Sequence, residues 1–230
     1  MESKSENKQG ATLDISRPKL VVILGACASG KSVLLKHIVK TMFQAGELNW
    51  CRVYSKTHRA NNEYGWLPKG CVHDIDLEKL HEYQEKLLKA REERGHEKLP
   101  MNAIIIDDSQ GTIRNPYDSR LVQWYSLHRH SSTHIFICLQ FATSIPTTLR
   151  GMADYVFVFA DKFARSRRHI YNFVGQWYEK EKDFLAMFDQ ATNQPHTCLM
   201  YKNRAPTIEE SYLSFRAPPP EDFSIEFTVV

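Results

Sequence analysis

The pattern that most limits what this 230-residue chain can become is a series of uninterrupted apolar runs. They are "KLVVIL" (19–24), "NAIIIDD" (102–108), "HIFICLQ" (134–140) and "DYVFVFA" (154–160). A strand with one wet face alternates apolar and polar residues, whereas a run apolar at every position needs cover on both faces. "CRVYS" (51–55) reads as a shorter strand, second in chain order. Between the runs, apolar residues recur at helical spacing in Lys31–Gln44, in Leu77–Arg94 and in 119–130, and 146–152 forms a short helix with proline in its first turn. Strands alternating with helices predict an α/β fold: a mainly parallel sheet with helices on both faces. A helix near 179–191 and a strand at Thr197–Lys202 follow. Lys56 to Gly70 reads as a long polar loop, and "EKLLKAREERGHEK" as a solvated helix face. The expected organisation is a flexible arm over 1–17, one domain over 18–216 and an extended tail over 217–230, opened by "RAPPPEDF".

Bulk composition excludes little. Thirty basic and 27 acidic side chains give a formal charge of +3, so any nucleic-acid contact would have to rest on a local patch. The five cysteines, Cys27, Cys51, Cys71, Cys138 and Cys198, show no CxxC spacing, which argues against zinc and against a disulfide framework. They are expected to be reduced, buried thiols. The first residues are polar and lack an apolar signal core, and no apolar stretch is long enough for a bilayer, so a cytosol-side protein is expected.

Just past the first run stands "GACASGKS". Gly25-x-x-x-x-Gly30-Lys31-Ser32 is the phosphate-loop pattern of a P-loop NTPase, placed between a strand and a helix as its mechanism requires. Glycines let backbone N–H groups converge on phosphate oxygens; Lys31 would neutralise the β- and γ-phosphates, and Ser32 would ligate Mg2+. ATP is therefore expected along Gly25, Ala26, Cys27, Ala28, Ser29, Gly30, Lys31, Ser32 and Val33. Asp107 and Asp108 end an apolar strand, where open parallel sheets place ligands. Asp107 would hold the metal through water, and Asp108 would orient or deprotonate the attacking water. Gln140 tips the next strand, where an amide can touch both γ-phosphate and water. With the loop on the first strand and the carboxylates on the third, the order suits NTPases in which an extra strand separates the two. Arg129, Arg150, Arg165, Arg167 and Arg168 compete for a transition-state role.

Taken together, "LGACASGKS", "IIIDDS", "LHRHSSTHIFICLQ" and "IPTTLRGMADYVFVF" resemble the genome-packaging ATPases of large DNA viruses, poxvirus-type and virophage-type, within the FtsK–HerA superfamily. The resemblance runs from about Lys19 to Ala160; the last third matches loosely. It implies a RecA-like core and a homomeric ring of about five or six subunits. It also implies ATP-driven movement of double-stranded DNA into a capsid, capsid or portal-vertex partners, and residence in host cytoplasm, viral factory or virion. It favours Arg129 over Arg150 as an arginine acting on a neighbouring subunit. Many members carry glutamate where this chain has Asp108. The DNA-contacting residues do not transfer: "KFARSRRH" (162–169) and "SQGTIRNPYDSR" (109–120) are both candidates. Two alternatives remain: a nucleotide or nucleoside kinase with "RSRRH" as a phosphate-clamping lid, and a non-catalytic nucleotide-binding assembly protein. No NKxD motif supports a GTPase.

Overall fold

The computed structural model describes residues 13–58, 62–94, 99–108, 113, 115 and 117–219. Residues 1–12 of the expected arm, 220–230 of the expected tail and most of the candidate pore loop after Asp108 lie outside the described residues.

Eight strands form one sheet. In chain order they are β1 (Leu20–Leu24), β2 (Trp50–Ser55), β3 (Val72–His73), β4 (Asn102–Asp107), β5 (Thr133–Leu139), β6 (Tyr155–Phe159), β7 (Thr197–Lys202) and β8 (Tyr212–Arg216). Their spatial order is β3-β2-β4-β5-β1-β6-β7-β8. The first six are parallel to one another, and β7 and β8 run antiparallel at one end. Strand β5 sits between the phosphate-loop strand β1 and the carboxylate strand β4, the separation expected from the motif order. Asp107 is level with Cys138, and Cys138 with Ile23, so the three tips end at one height.

Every residue of β1, β4, β5 and β6 is buried because each face meets its own helices. Leu20, Val22, Ile104, Ile106, Ile135, Ile137 and Val156 point to one face. There they meet α2 (Leu77–Arg94), α3 (Ser119–Leu127), α5 (Ala164–Val174) and α6 (Glu181–Ala191) through Leu80, Trp124, Ile170, Phe184 and Phe188. Val21, Ile23, Ile105, Phe136 and Phe157 point the other way, onto Leu34, Leu35, Ile38 and Met42 of α1 (Lys31–Gln44). Two short helices complete the order, α4 (Thr148–Met152) and α7 (Ile208–Ser211). Complete burial of one such side chain stabilises by about 1.5–3 kcal/mol, and unbroken runs on four adjacent strands make this register the favoured one.

Several segments depart from expectation. "YLSFR" forms the edge strand β8, which shows no apolar run because it is covered on one side and partly wet. Segment 62–67 is not a wholly polar loop, since Tyr64, Trp66 and Leu67 are buried against the α1 face. "ARSRRH" is helical, the start of α5, rather than a loop or lid. Of residues 13–17, Leu13 and Ile15 pack on the same face, and the Asp14 N–H donates to the Tyr155 hydroxyl.

Candidate nucleotide site

The loop after β1 is shaped by what cannot fit in it. At buried Gly25 a Cβ would lie 2.6 Å from Ser29 Oγ and 2.8 Å from the Phe159 Cβ. Ala28 and Gly30 take positive φ, 59° and 112°, and turns of this hand point successive N–H groups to one side. Gly30 leads into α1 with no side-chain cap and no acidic residue in the first turn, so nothing of this helix's own competes for its positive end. Ser29 Oγ is buried and has no hydrogen-bond partner among the described residues. Lys31 Nζ donates to the carbonyls of Gly25 (2.6 Å) and Ala26 (2.8 Å), closed over the loop it would share with phosphate. His196, just before β7, donates from Nδ1 to the Ser29 carbonyl at 3.2 Å, which brings the antiparallel end of the sheet to the loop. Cys27 is exposed, unlike the other four cysteines, because it rides the outside of this turn.

Two strands away, Asp107 is 9% exposed, and Tyr64 donates its hydroxyl to Asp107 Oδ2 at 2.5 Å. Burial pushes the Asp107 carboxyl above the usual range; the Tyr64 bond opposes this, and the nearby charges of Glu63 and Asp108 add to it. Asp108 turns out of the strand at φ 48° and accepts from Gln140 Nε2 at 2.9 Å. Ser32 donates its hydroxyl to Glu63 Oε1. A hydroxyl and a carboxylate are hard oxygen donors that fit Mg2+, and the surplus of carboxylates over the single Lys31 ammonium favours a divalent cation. Lys31, Asp108 and Gln140 thus lie at one edge of the sheet with Ser32, Val33 and Asp107. Glu63, Tyr64 and His196 were not anticipated; the signal for the first two was an aromatic cluster, "EYGW", inside a polar segment.

Arg129 is not with them. It follows α3 and ion-pairs with Asp154 at 2.7 Å, and Asp154 Oδ2 accepts from the N–H of Leu20, the first residue of β1. From Leu20 to Gly25 the strand rises about 16 Å, so Arg129 belongs to the opposite edge of the sheet. There it borders a cleft of about 430 Å³ shared with Arg17, Lys19, Lys202 and Arg204. Arg150 is exposed near that edge, where Asn203 bonds its carbonyl and that of Ala153. Arg167 is tied to Asp189 by two hydrogen bonds, 2.6 and 2.8 Å, while Arg165 and Arg168 are exposed on α5. The larger cleft, about 1090 Å³ beside β2 and α2, lies away from the phosphate loop; a nucleotide site at strand tips is open, so volume does not locate it.

Sheet order, loop and strand tips define the fold of a P-loop NTPase. No family model matches the chain. The uncharacterized protein 075L of Invertebrate iridescent virus 6 is 27% identical over 203 residues, covering 84% of this chain and 73% of that one. Among solved structures, the DNA-packaging ATPase B204 of Sulfolobus turreted icosahedral virus is similar at TM-score 0.63 and 14% identity, over 88% of this chain and 99% of its own. Its counterpart from Sulfolobus turreted icosahedral virus 2, bound to AMPPCP, is similar at TM-score 0.60 and 15% identity, over 87% and 98%. EssC (ATPases 2 and 3) from Geobacillus thermodenitrificans is similar at TM-score 0.61 and 15% identity, over 89% of this chain and 41% of that one.

Proposed function

We propose that this chain is an ATP-hydrolysing motor that moves double-stranded DNA into a preformed capsid, working as a homomeric ring with capsid or portal-vertex proteins. The observation that carries the reading is the match in fold over nearly the whole length of both this chain and a DNA-packaging ATPase. The site supports it: loop, buried carboxylate and amide-tipped strand meet at one edge.

Lys31 would leave the loop carbonyls for the β- and γ-phosphates, and the N–H groups of 25–33 would hold the remaining oxygens. Bound Mg2+ would supply positive charge that offsets the charge of the phosphates. Ser32 and Asp107 are the residues to hold it. Asp108 orients the attacking water and accepts its proton as oxygen bonds to the γ-phosphorus and the bond to ADP breaks. Gln140, already bonded to Asp108, links the state of that carboxylate to β5. Arg129, at the far edge, serves the γ-phosphate of a neighbouring copy. Arg165, and Arg168 with only a loose 3.9 Å contact to Glu181, are the members of the "RSRRH" cluster left to meet DNA phosphates; Arg167 is engaged with Asp189. That pairing, and the helical form of the cluster, weigh against a mobile kinase lid. Host cytoplasm, viral factory or virion is the proposed location; no helix among the described residues is long and apolar enough to cross a membrane.

The test is ATP turnover with and without double-stranded DNA, alongside native mass. Turnover in a ring, raised by DNA and without any phosphoryl acceptor, is expected. Turnover that needs a nucleoside acceptor would point to a kinase, and a ring without turnover to an assembly protein.

A further inference from the structure

Glu63 lies outside every motif that marks the site, on the segment between β2 and β3. That segment is built to hold it still. Asn62 takes φ 43°, and its carbonyl accepts from the Gly65 N–H at 3.0 Å. The Trp66 indole donates to the Glu63 carbonyl at 3.1 Å, and the Leu67 N–H to the Tyr64 carbonyl at 2.9 Å. Tyr64, Trp66 and Leu67 are 5, 8 and 6% exposed, so the turn is pinned by buried side chains that directly follow Glu63.

The pinned turn delivers two contacts to the site from adjacent residues. Tyr64 donates to Asp107, and Glu63 accepts from Ser32, so the turn touches both residues that would hold the metal. Glu63 thus sits on the Ser32 hydroxyl, one residue from the tyrosine that holds Asp107, while the Lys31 ammonium is bonded to loop carbonyls. A glutamate that merely tied the turn to α1 would need only an acceptor oxygen; this one brings a full charge to the metal side of the loop.

We propose that Glu63 is a positioning residue of the magnesium–nucleotide site, a third carboxylate that holds Ser32 before nucleotide arrives and faces the metal ion's outer shell afterwards. The inference rests on reading the site as one for magnesium and ATP.

The test separates charge from tether. Glu63→Gln keeps an acceptor of the same length and drops the charge; Glu63→Asp keeps the charge. In the full-length chain, binding of a fluorescent ATP analogue is titrated with Mg2+ and repeated in EDTA, and Mn2+ binding in the presence of nucleotide is followed by electron paramagnetic resonance. For Glu63→Gln, binding in EDTA should equal or exceed wild type, because a negative charge beside the phosphates is gone. The Mg2+ needed for half-maximal binding should rise about 10- to 100-fold, the usual effect of removing an outer-shell partner, with a matching loss of Mn2+ affinity. Glu63→Asp should recover most of that loss. Wild-type metal dependence in Glu63→Gln overturns the proposal, as does a Glu63→Asp variant no better than Glu63→Gln. Wild-type protein that binds the analogue equally with and without Mg2+ would instead remove the underlying reading of the site.

Discussion

The two edges of the parallel sheet hold their charged groups in opposite ways. At the phosphate-loop edge the side chains expected to meet nucleotide, metal and water fold inward onto the chain itself: Lys31 on two carbonyls, Ser32 on Glu63, Gln140 on Asp108. These are bonds a ligand can take over. At the other edge Arg129 is 42% exposed and shares one carboxylate with the start of β1. A partly exposed ion pair is worth about 0–1 kcal/mol, so releasing this guanidinium to a stronger anion costs little. One edge is arranged to close around a nucleotide. The other presents a guanidinium outward, too far along β1 to serve its own loop. The difference supports the proposed reading, in which a single chain carries two halves of a site and a neighbouring copy joins them.

If the edges are complementary halves, breaking the outer one should leave binding intact and remove catalysis. Arg129→Ala is expected to lower ATP turnover on the order of 10³-fold with little change in ATP affinity, since a guanidinium acting in trans stabilises charge that develops in the transition state. Steady-state kinetics and nucleotide titration on the assembled ring check this. Breaking the inner edge at its water-activating group should give a similar but smaller split. Asp108→Asn preserves shape and the contact with Gln140 but loses the base; about a 10²-fold slower rate with retained nucleotide binding is expected. Turnover at the wild-type rate in that variant would place the base elsewhere.

The smallest effect sharpens the comparison through pH. His134 is the second residue of β5, at the Arg129 edge, and its Nδ1 accepts from the Lys19 N–H at 3.2 Å. Burial pulls its pKa from 6.5 down to about 3. His128 of the preceding turn is also lowered by burial, with Arg129 adding to the effect. Because the unfolded chain takes up a proton at His134 and the fold does not, stability is full above the ordinary histidine value and falls below it. The loss attributable to His134 is about 1 kcal/mol between about pH 7 and 5.5. Urea midpoints at the two pH values should show it, and His134→Asn, which keeps an acceptor for Lys19, should flatten that part of the dependence.

Much of this was legible in the sequence for a physical reason: residues that must be dry on both faces leave unbroken runs, and β1, β4, β5 and β6 were found that way. The phosphate loop was legible because its chemistry fixes spacing along the chain. Even the edge on which Arg129 lies follows from chain order, since a helix leading into a parallel strand ends at the edge where that strand begins. What was not legible depends on contacts between distant segments. Glu63 reaches Ser32 only because Tyr64, Trp66 and Leu67 dock on the α1 face. Arg167 reads as part of a basic cluster until Asp189, a helix away, is seen beside it. Strand β8 has a partly exposed, interrupted pattern and so carries no run.

The proposed division of the site between two copies is tested most directly by mixing two defective proteins. Arg129→Ala supplies an intact phosphate loop and no outward guanidinium; Lys31→Ala supplies the guanidinium and a disabled loop. Each alone is expected to be nearly inactive. Co-assembled rings, verified by native mass, should regain part of the ATPase activity, because some interfaces then pair an intact loop with an intact Arg129. Mixed rings that form and remain inactive would contradict the account, since every intact loop would then need the arginine of its own chain.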